Sequence, residues 1–205
     1  MIHVNAQPEP SGFDVNVRQK GIAYLRNKKI ALDKPIPPKT EIYPYWRDCL
    51  DDLYSNYQGI CAYLAVYFER VTGGGSIDHF IPKSKRADLA YEWCNYRLAC
   101  SIMNCRKRDY DDVLDPFEIE DGWFHLELVS GRIYPNPNLD AIRSDLVHAT
   151  IVRLGLDHDG NREMRARHYQ EYREGFFTAA YLQRRSPFVY LEALSLKLDY
   201  QVFWV

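Results

Sequence analysis

Hydrophobic positions along the chain predict its elements before its chemistry does. Trp46, Leu50, Leu53 and Tyr57 stand at steps of four, three and four, the stripe of an amphipathic helix, and Gly59 ends it. Cys61 to Val71 then runs as apolar, β-branched and aromatic residues suited to a strand. Short blocks of β character flank Asp78, Leu98 to Cys100 reads as another strand, and a helix opens around Asn104. Trp123 to Leu128 and Arg132 to Tyr134 alternate around Ser130-Gly131, which predicts a hairpin closed by Pro135 and Pro137. Leu139, Ile142, Leu146, Ala149 and Val152 or Arg153 mark a helix over 139–154 with Gly155 as its cap. A further helix over 161–182 carries Tyr169, Tyr172, Phe176 and Ala180 on one stripe, with Asn161 as its N-cap. Residues 1–40 are short of large apolar side chains and punctuated by Pro35, Pro37 and Pro38, so they read as a partly extended arm. The plan is α+β, with an arm over 1–40, a core over 41–122, and a hairpin with a helical extension over 123–205.

With 205 residues, 46% of them hydrophobic, the chain can bury one substantial core and a second small one. No apolar run approaches a membrane span and the N-terminus shows no apolar leader core, so a cytoplasmic protein without membrane contact is expected. Five cysteines without framework spacing fit free thiols in a reducing compartment. The net charge of -2 argues against a broadly basic surface, yet charge is unevenly spread. Lys83 to Arg108 holds seven bases against two acids, and Asp109 to Asp121 holds seven acids and no base. The basic segment suits a phosphate backbone, and the acidic one would confine it to one side. The arm carries seven bases against Asp33 between Arg18 and Lys39; it lies along nucleic acid, docks on a partner, or is a disordered leader.

Candidate chemistry concentrates between Gly73 and Arg108. His79 is the group whose ordinary pKa, about 6.5, suits a general base at neutral pH. Asp78 and Asn104 offer the hard oxygens that Mg²⁺ or Mn²⁺ prefers. Asn104 and Lys107 are one helical turn apart, so a ligand and a phosphate-gripping cation share a face; Lys83, Arg106 and Arg108 add positive charge. Adjacent strand residues face opposite ways, so the strand must end or bulge at Asp78-His79, and Pro82 suits such an ending. Gly73-Gly74-Gly75 lacks the following Gly-Lys-Ser/Thr of a phosphate-binding loop and reads as a turn. Asp157 to Asn161 has its glycine too early for a calcium loop, with no glutamate at the twelfth position.

Asp78-His79, Ile81-Pro82, Asn95, the Leu98 to Cys100 strand and Asn104-x-x-Lys107 together resemble the HNH, or ββα-metal, nuclease motif, in its variant with asparagine at the third position. The resemblance implies a ββα core, His79 as general base, Asp78 and Asn104 as metal ligands, and Asn95 as the residue holding the loop that carries His79. It also implies DNA cleavage to 5′-phosphate and 3′-hydroxyl ends. Many members carry two Cys-x-x-Cys knuckles on a structural zinc; here these places read Cys61-Ala-Tyr-Leu64 and Cys100-Ser-Ile-Met103. With apolar residues replacing the second thiols, no structural zinc is expected, and Leu64 and Met103 are expected to meet instead. The Leu154-Gly155-Leu156 turn between two helices behind the motif resembles the PtuB-like HNH proteins of bacterial antiphage defence, which implies an ATPase partner. RNA as substrate, or a non-catalytic binding or assembly subunit on the same fold, are the alternatives. The end, Tyr200 to Val205, is apolar and expected to be buried in the chain's own helical layer or at an interface.

Overall fold

A computed structural model of the chain describes residues 1–198. In order, the elements are α1 (Lys20–Asn27), α2 (Leu50–Asn56), β1 (Ile60–Cys61), β2 (Val66–Tyr67), α3 (Arg70–Gly73), β3 (Gly75–His79), β4 (Tyr96–Cys100), α4 (Ser101–Lys107), β5 (Phe124–Glu127), β6 (Arg132–Pro135), α5 (Ala141–Leu154), α6 (Asp159–Arg173), α7 (Ala179–Arg185) and α8 (Pro187–Ser195). Helices with small antiparallel sheets make this an α+β chain. Among the described residues no helix is long and apolar enough to cross a membrane. The chain forms two compact units: Asn5–Cys61 with Phe68–Asp112, and Met1–Val4 with Ala62–Tyr67 and the chain from Val113 onward. The apolar end, Tyr200 to Val205, lies outside the described residues.

In the first unit β3 and β4 pair antiparallel, placing Asp78 opposite Arg97 and His79 opposite Tyr96, and α4 leaves β4 without a loop. All of β4 is buried, with Leu53, Tyr91 and Met103 fully enclosed in the same unit. The stretch expected as an arm is folded. Asp14–Gln19 forms a π-helical turn leading into α1, and Phe13, Val17, Gly21 and Leu25 are buried. These four stand at i, i+4 spacing, a stripe that Gly21 conceals because glycine carries no apolar side chain. A Cβ at Gly21 would come within 2.1 Å of the Tyr91 ring, so only glycine allows this approach. Phe13 packs edge-on against Trp93 and Tyr96, and the Trp93 Nε1 donates to the Gln7 carbonyl at 2.8 Å. Arg18, counted among the arm's seven bases, is committed to Glu9, Asp14 and Glu92. The single strand expected over 61–71 is broken into β1, a turn, β2 and the start of α3.

In the second unit β5 and β6 form the expected hairpin. α5 runs as predicted and Gly155 caps it in the left-handed conformation, but the buried residues are Val147, Thr150, Ile151 and Leu154. The expected stripe was wrong: Ile142, Leu146 and Val152 are exposed. α6 starts from His158; the Asn161 side chain instead donates to the Gly155 carbonyl at 3.0 Å, closing the end of α5. α6 stops at Arg173, so Tyr169 and Tyr172 are buried while Phe176, beyond the break, is 76% exposed. Buried Arg165 ties the hairpin turn to the next one, donating to the Gly131 carbonyl at 2.9 Å and the Leu156 carbonyl at 2.7 Å.

His168 on α6 is buried, and its Nδ1 has no hydrogen-bond partner among the described residues. Burial, with the charges of Arg185 and Arg167, pulls its pKa down to about 4. The unfolded chain therefore takes up this proton first. The stability that neutral His168 supplies is complete above pH 6.5 and declines as pH falls towards 4, by about 1.4 kcal/mol per pH unit at most. Urea denaturation across this window should show a shallower decline for His168→Leu than for the natural chain; identical slopes would disprove the assignment.

Candidate active site

β3 ends at His79, which resolves how neighbours Asp78 and His79 serve one site: both line a pocket of about 410 Å³ together with Trp46, Lys83, Asn104, Arg108 and Asp109. The elements that meet here, β3, the loop after it and α4, all belong to the first unit. Asn104 reaches the pocket from the middle of α4, and Arg108 from its end, where φ is +48°.

His79 is 7% exposed, its ring edge-on to Trp46 at 4.8 Å and Tyr96 at 5.1 Å between centroids. Its Nε2 lies 2.9 Å from the Ala90 carbonyl, which also accepts from the Tyr96 hydroxyl at 2.9 Å. A carbonyl only accepts, so Nε2 carries the hydrogen and Nδ1 keeps its lone pair. Burial and the Lys83 charge push the pKa of His79 down to about 3, so the ring is neutral across the physiological range with Nδ1 unprotonated, and in these surroundings it is a weak base.

Asn95, buried behind this site, clasps the loop between the strands. Its Oδ1 accepts from the Ile81 N–H at 2.8 Å, and its Nδ2 donates to the carbonyls of Ile81 at 2.9 Å and Leu89 at 3.0 Å. The clasp holds the segment whose Ala90 carbonyl orients His79. Asn95→Ala leaves three part-buried backbone groups short of a partner and should lower stability by about 2–4 kcal/mol, read as a shift of the urea midpoint. A shift below the error of the measurement would show that water replaces the clasp.

Lys107 corrects the sequence reading. It does not grip a ligand from the helix surface but is fully buried, with Nζ donating to the Phe80 carbonyl at 2.9 Å and standing 3.9 Å from Asp78 Oδ2. Burial lowers its pKa and the Asp78 charge opposes that shift. Arg106 does not line the pocket either, which among the described residues leaves Lys83 and Arg108 as the cations that do. Trp46, Ser84 and Asp109 line it too, unforeseen from sequence. Asp109 was legible only as the first acid of the run to Asp121, and Trp46 only as part of a helix stripe.

Beside the strands, the Cys61 and Cys100 thiols share a hydrogen bond. That bond, helped by amides at the start of α4, draws the Cys100 thiol down to about 7. The two cysteines left at the knuckle positions thus meet each other. Among the described residues no group of three or more His, Cys, Asp or Glu side chains is placed to hold a metal ion. Any ion in the pocket would rest on a mixed set: the carboxylates of Asp78 and Asp109 and the amide oxygen of Asn104, all hard donors suited to Mg²⁺ or Mn²⁺. Neither a scan against protein-family models nor a search of curated proteins finds a match to the chain.

Proposed function

We propose that the chain is a metal-dependent endonuclease of the HNH class that hydrolyses DNA. The observation that supports this best is the convergence of an uncharged histidine, hard-oxygen donors and two cations on one pocket. His79 Nδ1 takes the proton from the attacking water, with Nε2 held by the Ala90 carbonyl. Lys83 and Arg108 hold the phosphate oxygens. Asp78 and Asn104, with Asp109, would hold Mg²⁺ or Mn²⁺, which supplies positive charge where the oxygens gain negative charge. Asn95 positions His79 through the loop. By the family resemblance the products carry 5′-phosphate and 3′-hydroxyl ends. The same resemblance supports cytoplasmic action beside an ATPase partner that restrains the nuclease.

One observation favours a second reading, a non-catalytic assembly subunit. Asp78 already has Lys107 at 3.9 Å and Arg97 as its cross-strand neighbour, positive charges that oppose a divalent ion. The deciding experiment incubates the purified protein, alone and with its neighbouring gene's product, with DNA and RNA, with Mg²⁺, Mn²⁺ or a chelator. Metal-dependent cleavage of DNA that Asp78→Ala loses supports the nuclease. Metal-independent cleavage, or none, overturns it, and cleavage of RNA alone reassigns the substrate.

A further inference from the structure

A row of aromatic rings runs from the surface to the pocket. Tyr24 lies 6.4 Å from Tyr43 and 6.3 Å from Tyr45, Tyr43 and Tyr45 are 4.4 Å apart, and Tyr91 stands 6.1 Å from Tyr45 and 5.7 Å from Trp46. Trp46 closes the row against His79 at 4.8 Å. Only Tyr91 is fully buried, and its hydroxyl donates to the Tyr43 carbonyl at 2.7 Å, bracing the segment from behind. Tyr24, Tyr45 and Trp46 are half-buried and Tyr43 is 55% exposed. Cations stand at both ends of the row: Lys28 Nζ is 5.7 Å from the Tyr24 ring and Lys83 Nζ 5.5 Å from the Trp46 ring.

Rings gathered only to make a core would be enclosed. Here the outer members keep ring surface in water, and the inner one lines the pocket with His79 and Lys83. We infer that Tyr24, Tyr43, Tyr45 and Trp46 form a stacking subsite for unpaired bases of a nucleic-acid strand whose phosphate enters the pocket. Aromatic rings receive bases of any identity by stacking, and the ammonium groups over the Tyr24 and Trp46 rings match the charge of the backbone. Bases in a duplex are already stacked and paired and gain nothing from these rings, so the subsite selects single strands, DNA and RNA alike by this chemistry. The inference rests on the nuclease reading for the role of the pocket, but the binding it specifies is separable from cleavage.

The test is fluorescence anisotropy in EDTA, with a labelled single-stranded DNA, a single-stranded RNA of the same sequence and the corresponding DNA duplex. The natural chain should bind a single strand more tightly than the duplex, and the tighter of DNA and RNA identifies the source of the strand. Tyr43→Ala should weaken single-strand binding about ten-fold, within the range for loss of one stacked base, while duplex binding changes less than about two-fold. Tyr43→Phe, which keeps the ring, should restore the natural affinity. Equal single-strand affinity for Tyr43→Ala and the natural chain, or an equal loss on the duplex, overturns the inference. Cleavage assays on the same proteins separate the two readings. Cleavage without Tyr43-dependent binding sinks the subsite alone, and Tyr43-dependent binding without cleavage sinks the nuclease alone.

Discussion

His79→Ala should lower cleavage of DNA in the presence of Mg²⁺ by about 10²–10⁴-fold, the loss expected when a general base is removed. The Ala90 carbonyl fixes the hydrogen on Nε2, so Nδ1 is the ring's one proton acceptor, and among the described residues no second histidine lines the pocket to replace it. The loss should fall on kcat more than on binding, because the base acts on charge that develops in the transition state. Burial between Trp46 and Tyr96 adds a consequence that the sequence did not suggest. Removing the ring opens a cavity and should cost about 2–4 kcal/mol of stability, so the rate must be compared on protein shown to be folded by circular dichroism. A folded His79→Ala protein that cleaves at the natural rate would reassign the base.

Lys107→Ala should be the most destabilising of the substitutions considered, by about 3–5 kcal/mol, because it removes one partner of a buried charge pair and takes a counter-charge away from Asp78. It also orphans the Phe80 carbonyl and empties the volume of the lysine stem. Lys107→Met keeps most of that volume, so its smaller loss measures the charge and the hydrogen bond alone. If Asp78 holds a divalent ion, Mg²⁺ should restore stability to Lys107→Met more than to the natural chain, since the ion then takes over as counter-charge. Thermal melts of both proteins with and without Mg²⁺ read this directly. Equal melting temperatures for Lys107→Ala and the natural chain would show that the pair contributes nothing, and equal Mg²⁺ effects would remove Asp78 as a ligand.

Local sequence determined a good deal. Residues close in the chain made the β5–β6 hairpin legible, because alternation and a Ser-Gly turn leave few other solutions. The Gly155 end of α5 was legible for the same reason, a left-handed cap that favours glycine. Asp78, His79 and Asn104 could be singled out from residue type and spacing, and the structure brings all three to one pocket.

Other features depended on groups far apart in sequence. Which face of α5 turns inward was not decided by its own residues: apolar side chains lie on several sides, and packing in the second unit buries Val147 and Thr150 rather than Ile142 and Val152. The helix in the first 40 residues stayed hidden because its stripe includes Gly21, whose value lies in the space it leaves for Tyr91, 70 positions on. The direction of Lys107 was undetermined in the same way. One helical turn aligns it with Asn104, but a carbonyl 27 residues earlier and the carboxylate of Asp78 draw its ammonium inward. Spacing fixes which side of a helix a residue occupies; whether its charge meets solvent or a buried partner is an electrostatic balance that only the folded surroundings decide.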